Sequence, residues 1–195
     1  AFLTPFRHKT ETSVDAMNAR LQALVNPPAL GKAEAVYGEL RFRVGDKVMQ
    51  IRNNYQLEWE VVSKYGIPID KGLGIFNGDM GIVKEIRDAS NEVVVEYDEG
   101  RRVTYSFSLL DELEHAYAIT IHKSQGSEYP AVLIPLLSGS KLLYTRNLLY
   151  TAITRAKKCV CLVGSKAMIN QMVDNNQENR RYTTLAKRIR DLREE

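Results

Sequence analysis

The apolar residues near the start of the chain recur at helical spacing, which predicts a helix with one apolar face. They are Val14, Met17, Leu21, Leu24 and Val25. Thr12 or Ser13 is a suitable N-cap, and the Pro27-Pro28 pair ends the helix because proline lacks an amide hydrogen. Residues 2–5 are predicted to end a strand, and the segment after the helix is predicted to be a loop up to Leu40.

From residue 41 the apolar pattern takes the period of β-strands. The segment 46–51 alternates, and short segments at 78–83, 93–97 and 102–105 are also typical of strands, with glycine-bearing turns between them. Such strands predict a small β-barrel over residues 41–112. Inside it, the segment 56–75 contains several Gly and Pro residues and is predicted to be a long excursion.

From residue 113 onwards, predicted strands alternate with predicted helices. Strands are expected at 116–121, 131–135 and 159–163, and a helix at 145–157. The apolar run at 159–163 is typical of a strand buried on both faces. The predicted fold class is therefore α/β, a mainly parallel sheet flanked by helices. Residues 1–40 and 113–195 would form this domain, with the barrel inserted between them.

Composition narrows the class of protein without identifying it. The 195 residues are 44% hydrophobic and 26% charged, which is typical of a soluble globular protein, and no apolar run approaches the roughly 20 residues of a membrane span. A net charge of +3 is weak evidence for an anionic partner. The basic tail at 180–193 is interpreted as a solvated helix face. Residues 1–5 lack an initiator Met and a charged n-region, as expected at an internal end of a longer chain.

The only cysteines are Cys159 and Cys161. Residues two apart on a strand point the same way, a disulfide between them is sterically poor, and two thiols are too few for zinc. They are predicted to be buried small hydrophobes in a reduced, cytoplasmic protein.

Two polar segments of the α/β part carry candidate chemistry. The loop at 120–128 combines hydroxyls, an imidazole, an ammonium, an amide and a carboxylate between two predicted strands, where open α/β sheets bind ligands. In the segment 147–158, Thr151 and Arg155 share a helix face, and the guanidinium could reach a phosphoryl group from a neighbouring domain. The alternatives are a polar turn whose Ser and Thr cap backbone groups, and an arginine that stabilises a helix C-terminus.

A third segment lies in the predicted barrel. Lys47, Arg52 and Tyr55 could meet the backbone and bases of a nucleic acid, whereas Gly45-Asp46 and residues 77–79 are turn chemistry. A barrel that only packs is an equally good interpretation. The chain contains no G-x-x-x-x-G-K-[ST] sequence and no acidic strand end for magnesium, so it cannot hold ATP phosphates alone by the usual mechanism.

Together these segments resemble the RecD/TraA family of superfamily-one DNA helicases over nearly the whole chain. The matching segments are 3–5 with 15–18 and 21–22 (near motif IV), 45–55 with 77–79 (the inserted SH3-like barrel), 122–128 (motif V) and 150–157 (motif VI). The resemblance implies that the α/β part is the second RecA-like motor domain. It also implies ATP and Mg²⁺ as cofactors of the full-length enzyme, held mainly by an N-terminal RecA-like domain of the same polypeptide, and no activity of this fragment alone.

The resemblance also assigns roles to individual residues. Arg155 would be the catalytic arginine finger at the γ-phosphate. The ATP-binding residues would be Gln125, Gly126, Glu128 and Arg155. The residues on single-stranded DNA would be Thr120, His122, Lys123, Asn53, Asn54 and Thr151. No metal ligand and no membrane contact are implied, and family membership implies 5′-to-3′ travel.

The chain departs from the family pattern in two places. Residues 5–12 lack the usual glycine-bearing turn, so no nucleotide role is carried over to Arg7, and residues 57–75 exceed the usual connection. The remaining alternatives are a non-catalytic nucleic-acid-binding module, part of a viral-type RNA helicase, and a hydrolase acting through Ser124 and His122. The hydrolase lacks a nucleophile elbow and a partner acid.

Overall fold

The computed structural model describes residues 1–137, 143–176, 184 and 189–192. Most of the predicted basic tail at 180–193 lies outside the described residues. None of the described helices is long and apolar enough to cross a lipid bilayer.

The described elements are thirteen strands and three α-helices, with 3-10 turns at Asp98–Gly100 and Phe107–Glu112. The strands are β1 (Phe2–Thr4), β2 (Glu34–Tyr37), β3 (Leu40–Arg43), β4 (Lys47–Gln50), β5 (Asn54–Val62), β6 (Pro68–Ile75), β7 (Met80–Arg87), β8 (Glu92–Tyr97), β9 (Arg101–Ser106), β10 (Leu113–His115), β11 (Ala118–Thr120), β12 (Tyr129–Leu136) and β13 (Ala156–Gly164). The helices are α1 (Val14–Val25), α2 (Arg146–Ile153) and α3 (Lys166–Asp174).

Four parallel strands in the order β11-β1-β12-β13 form one sheet. Helix α1 packs against β11, and α2 packs against β12, β13 and α3. The core of this part is apolar, with Leu3, Ile121 and Ile134 fully buried. The predicted mainly parallel sheet flanked by helices is therefore confirmed.

Seven antiparallel strands in the order β10-β4-β7-β8-β9-β5-β6 form the second sheet, and β2 and β3 pair as a separate hairpin. Leu113 of β10 and Ile75 of β6 belong to strands at opposite ends of this order, yet both are buried in the same core. The sheet must therefore curl around that core. Ala35 and Phe42 of the β2–β3 hairpin are also fully buried there. The domain division at residues 41 and 113 stays a prediction.

Strand β4 connects the two cores. Val48 is fully buried in the core of the antiparallel sheet, whereas the next residue, Met49, is buried in the core of the parallel sheet. Successive side chains of a strand point to opposite faces, so one strand serves both cores. Met80 of β7 packs beside Met49 on the same side.

Helix α1 has the predicted N-cap but not the predicted buried face. Ser13 caps it, because its Oγ accepts a hydrogen bond from the amide of Ala16 at 3.5 Å. The buried positions, however, are Val14, Asn18 and Gln22. The apolar face predicted at 14, 17, 21, 24 and 25 is wrong, since Leu24 and Val25 are 79% and 65% exposed. Hydrogen-bond partners from distant strands bury the polar stripe instead.

Two regions predicted to be irregular are β-hairpins. The loop predicted up to Leu40 contains β2, which pairs with β3. The excursion predicted over 56–75 contains most of β5 and β6, joined by a turn at 63–67. The loop prediction is wrong, and the predicted excursion is a β-hairpin, because cross-strand hydrogen bonding and packing override the turn preference of Gly and Pro. Gly72, for example, lies directly over the ring of Trp59.

The predicted helix over 145–157 ends at Ile153, and Ala156 already begins β13. The prediction that 159–163 is buried on both faces is wrong, since among the described strands β13 lies at the edge of the parallel sheet and pairs with β12 alone. Cys159 and Cys161 are consequently exposed rather than buried. Burial of an apolar run depends on strand order, which the run itself does not encode.

Candidate functional site

The polar loop at 120–128 runs from the edge formed by the carboxyl ends of the parallel strands (the carboxyl edge) to the edge formed by their amino ends (the amino edge). Phe2 of β1 pairs with Ala118 of β11 and with Leu133 of β12, so Thr120 is level with Pro135. From Tyr129 to Pro135, β12 is about 20 Å long at roughly 3.3 Å per residue. The loop therefore begins at the carboxyl edge of the sheet and delivers residue 128 to the amino edge.

Hydrogen bonds within the loop fix its first half. The hydroxyl of Thr120 accepts from the amide of Lys123 at 3.1 Å. Ser124 is fully buried, and its hydroxyl donates to the carbonyl of Ile121 at 2.7 Å. The turn-capping interpretation thus accounts for Thr120 and Ser124. The same burial argues against Ser124 as a hydrolase nucleophile.

The second half of the loop is open. His122, Gln125 and Gly126 are exposed. Gly126 has a φ of 86°, and nothing lies within 4 Å of the place that a Cβ would occupy there. A left-handed glycine with open space beside it leaves the backbone accessible to a ligand.

Arg155 lies in the turn between α2 and β13 and is half-buried. Its guanidinium is held by backbone carbonyls, since Nε donates to Thr151 and Nη1 donates to Ser127, both at 3.3 Å. Among the described residues, no carboxylate oxygen lies within 4.0 Å of it. The charge of Arg155 is therefore oriented but not neutralised. The Thr151 hydroxyl donates to the carbonyl of Asn147 at 2.8 Å.

Glu128 lies beside Arg155 at the amino edge. The amide of Tyr129 donates to the carbonyl of Arg155 at 2.8 Å, which fixes the two segments in register. Oε2 of Glu128 is 3.0 Å from Nζ of Lys157, and both side chains are exposed. The structure thus brings together residues from the two polar segments that sequence reasoning treated separately. Sequence reasoning gave Lys157 no site role, although it follows Arg155 by two positions.

The predicted DNA contacts of the loop lie at the carboxyl edge. Thr120 ends β11, with His122 and Lys123 directly after it. Nζ of Lys123 is 3.5 Å from Oε2 of Glu114, and Glu114 also forms an ion pair with Arg7. These residues therefore lie at the carboxyl edge of the parallel sheet, whereas Arg155, Glu128 and Lys157 lie at its amino edge.

Asn53 and Asn54 lie on the antiparallel sheet and organise its turns. Oδ1 of Asn53 accepts from the amide of Asn77 at 2.9 Å, and Nδ2 of Asn54 donates to the carboxylate of Glu112 at 3.1 Å. Tyr55 beside them is 67% exposed. The side chain of Asn53 thus holds the turn at residues 77–79, which were predicted to be turn chemistry.

Arg52 and Lys47 of the same segment are each constrained in a different way. Arg52 is paired with Asp111 at 2.6 Å. Lys47 is half-buried, and its burial lowers the pKa of its ammonium.

Sequence reasoning missed one buried residue, Asp46, which it interpreted as turn chemistry. Its carboxylate is fully buried. It accepts hydrogen bonds from the Arg43 amide and from the side chains of Gln22, Asn26, His115 and Tyr117. Burial by itself raises the pKa of Asp46, but the hydrogen bonds from His115, Asn26 and Arg43 outweigh it and lower that pKa. Nothing in the local sequence signals these distant partners.

Two family models match the chain. Residues 17–97 match the SH3 domain of ATP-dependent RecD-like DNA helicases, and residues 115–163 match the UvrD-like helicase C-terminal domain. Together with the parallel sheet, these matches define the class of protein: a helicase chain with a RecD-like SH3 domain and a UvrD-like C-terminal domain.

Curated relatives narrow this class. The ATP-dependent RecD2 DNA helicase of Deinococcus radiodurans is 36% identical over 188 residues, covering 96% of this chain and 23% of that protein. The RecBCD enzyme subunit RecD of Mycolicibacterium smegmatis is 39% identical over 121 residues, 62% of this chain and 21% of that protein. The chain belongs to the RecD-type superfamily-one DNA helicases, as the motifs predict. It spans less than a quarter of the length of these two relatives.

Solved structures share the fold. The Pif1 helicase from Bacteroides in complex with ADP-AlF3 and ssDNA superposes with a TM-score of 0.54 at 22% identity, over 100% of this chain and 46% of that chain. The Pif1 helicase from Candida albicans gives 0.53 at 14% identity, over 100% and 49%. The predicted RecA-like fold is confirmed.

Proposed function

We propose that this chain is the second motor domain of an ATP-dependent DNA helicase and supplies its arginine finger. The observation that carries the proposal is the state of Arg155. Its guanidinium is half-buried, is oriented by two carbonyls, and has no carboxylate partner among the described residues. An oriented arginine with an unneutralised charge suits a phosphoryl group brought by another domain.

The nucleotide would meet the amino edge of the parallel sheet. ATP would supply the phosphoryl group that is transferred and Mg²⁺ would neutralise charge on its phosphates, and an N-terminal RecA-like domain of the same polypeptide would hold most of both. Arg155 would stabilise charge on the γ-phosphate. Gly126 offers accessible backbone nearby, and the carboxylate of Glu128 could accept from ribose hydroxyls while Lys157 occupies one of its sites.

Among the described residues, no three His, Cys, Asp or Glu side chains come together as a metal site. The proposal assigns no metal ligand to this chain.

Single-stranded DNA would contact the carboxyl edge and the barrel. Thr120, His122 and Lys123 provide a hydroxyl, an imidazole and an ammonium, which are groups that bind phosphate oxygens. Asn53 and Asn54 would extend the contact onto the barrel. Thr151, which the resemblance places on DNA, lies instead beside Arg155, because its carbonyl accepts from the Arg155 Nε, so the proposal gives it no DNA contact. Gln125, between the two edges, would couple nucleotide and DNA.

This arrangement suggests how the single-stranded DNA would be moved. Closure of the ATP cleft would shift the 120–128 loop, whose two ends lie about 20 Å apart along the sheet. The loop would thereby link the nucleotide edge to the DNA edge. We infer 5′-to-3′ travel from the family alone, and we infer that the fragment without its P-loop partner has no ATPase activity.

Replacing Arg155 tests the finger. In the full-length polypeptide, Arg155→Ala should lower DNA-stimulated ATP turnover by roughly 10³-fold or more, because a finger acts only on charge that develops during transfer. Affinity for ATP, measured separately with a fluorescent analogue, should change only a few-fold. Arg155→Lys should stay impaired, since an ammonium lacks the planar fork of donors.

Arg87→Ala is the matched control, since Arg87 is a half-exposed arginine paired with Glu85 on the barrel. It should leave ATP turnover unchanged. Turnover of Arg155→Ala within a few-fold of the unaltered enzyme would show that Arg155 is not a finger.

A further inference from the structure

One carboxylate on the last barrel strand bridges two loops of the parallel sheet. Glu114 of β10 forms ion pairs with Arg7, in the loop after β1, and with Lys123, in the loop after β11, the latter at 3.5 Å. β1 and β11 are adjacent parallel strands, so both loops leave the same edge of the sheet. The side chains of Arg7, Glu114 and Lys123 are 40%, 24% and 27% exposed, so the cluster is partly shielded from solvent.

The backbone that carries Glu114 is firmly held. Glu114 pairs with Met49 of β4, a residue buried in the core of the parallel sheet. The next residue, His115, is buried, and its carbonyl accepts from Nδ2 of Asn18 at 3.0 Å. Leu113 and His115 face one side of β10, so Glu114 faces the other, towards the two loops. The carboxylate of Glu114 therefore has a well-defined position between the barrel and the loops of the parallel sheet.

We propose that Glu114 is a positioning residue that holds Lys123 in place for single-stranded DNA and ties the motif V loop to the barrel. This inference rests on the proposed function, in which Lys123 contacts DNA. A lysine side chain loses rotamer freedom when it binds a phosphate, and an ion pair that orders it beforehand reduces this loss. With two cations and one anion (2 − 1), the cluster keeps a net charge of +1 and still attracts phosphate.

A double-mutant cycle distinguishes positioning from simple neutralisation of Lys123. If Glu114 positions the lysine, Lys123→Ala should cost less affinity once Glu114 is Gln. If Glu114 only neutralises the lysine and competes with phosphate, Lys123→Ala should cost more in that background. The two mechanisms therefore predict opposite signs of coupling.

The measurement is fluorescence anisotropy with a labelled oligo-dT and the full-length polypeptide over a range of salt. In the unaltered background, Lys123→Ala should weaken binding by roughly fivefold or more, and it should reduce the slope of log affinity against log salt by about 0.7, one single-strand phosphate contact. In the Glu114→Gln background, the same change should weaken binding less than about twofold and leave the slope unchanged.

Two further variants separate geometry from charge. Glu114→Asp keeps the charge but shortens the reach, so it should lose most of the coupling. Glu96→Gln is the matched control, because Glu96 is 25% exposed and also bridges two cations, Lys84 and Arg102, on the barrel. The full Lys123→Ala penalty should persist in that background.

Three outcomes would overturn the inference. One is an equal or larger Lys123→Ala penalty in Glu114→Gln, and another is loss of the penalty in Glu96→Gln as well. A third, no effect of Lys123→Ala in the unaltered enzyme, would remove the lysine contact and with it the role of Glu114. The Arg155 proposal is measured by ATP turnover and would stand or fall separately.

Discussion

Asp46 shows how a single residue can join two parts of this molecule. Its buried carboxylate accepts from Gln22 and Asn26 of the α1 region and from His115 and Tyr117 at the exit of the barrel. A buried carboxylate is costly unless donors surround it, and here they do. The entry to the barrel, its exit and helix α1 therefore meet at one anion.

Asp46→Asn should destabilise the fold. The amide side chain turns one acceptor into a donor that faces other donors, so we expect the free energy of unfolding at pH 7 to fall by about 2–4 kcal/mol. Urea denaturation followed by circular dichroism measures it. A loss below about 0.5 kcal/mol would contradict the assigned hydrogen bonds.

The same variant has a predictable pH dependence. The pKa of Asp46 is lowered in the folded state, so its stabilisation is present above the unfolded pKa, about 4, and is lost as pH falls through the folded pKa. The stability difference between the unaltered chain and Asp46→Asn should therefore be largest near neutral pH and shrink below about pH 4.

At the scale of elements, helix α1 is held by polar contacts rather than by its apolar residues. Nδ2 of Asn18 donates to the carbonyls of His115 and Ala118 at 3.0 Å, and its Oδ1 accepts from the Ala118 amide at 2.8 Å. One amide side chain thus satisfies the backbone at the junction between barrel and parallel sheet.

Asn18→Ala should accordingly cost more than the loss of a large apolar side chain from the same helix. We expect the free energy of unfolding to drop by about 2–3 kcal/mol, because buried backbone groups of Ala118 and His115 lose their partners. Leu24→Ala is the control and should change it by less than about 0.5 kcal/mol, since Leu24 is 79% exposed. A larger loss of stability for Leu24→Ala than for Asn18→Ala would contradict this, and would instead support the buried apolar face that helical periodicity predicts.

At the scale of the whole molecule, strand β4 and the buried junction at Asp46 connect the barrel and the parallel sheet, so we expect the two parts to behave as one cooperative unit. Met49 lies on a barrel strand but is buried, only 2% exposed, in the core of the parallel sheet. Separation of the two parts would expose Met49, and it would also expose the Asp46 carboxylate with its hydrogen-bond donors. The barrel should therefore move with the parallel sheet instead of hinging freely.

Cooperative unfolding is the measurable consequence. The chain has one tryptophan, Trp59, on barrel strand β5, so its fluorescence reports on the barrel while far-UV circular dichroism reports on both parts. The two urea transitions should coincide, and Met49→Ala should shift both equally, by about 2–5 kcal/mol. Two separate midpoints would mean that the parts unfold independently.

The features that follow from sequence depend on neighbouring residues. Ser13 caps α1 because a cap acts within three positions, and the β-branched valines of 93–97 favour a strand whatever lies opposite them. The motif-bearing loops belong to this group too, since their residue types and order carried the family resemblance that the matches confirmed. The function classes considered, and the residues proposed for the site, followed from the sequence alone.

Only the tertiary structure decided which faces are buried and which distant groups meet. Asn18 is buried because Ala118 lies beside it, and Cys159 is exposed because strand order places β13 at an edge. Arg155 reaches the carbonyl of Ser127 through the β12–β13 pairing, which neither segment encodes by itself. Burial and long-range hydrogen bonds depend on how the elements pack, and that packing is a property of the whole chain.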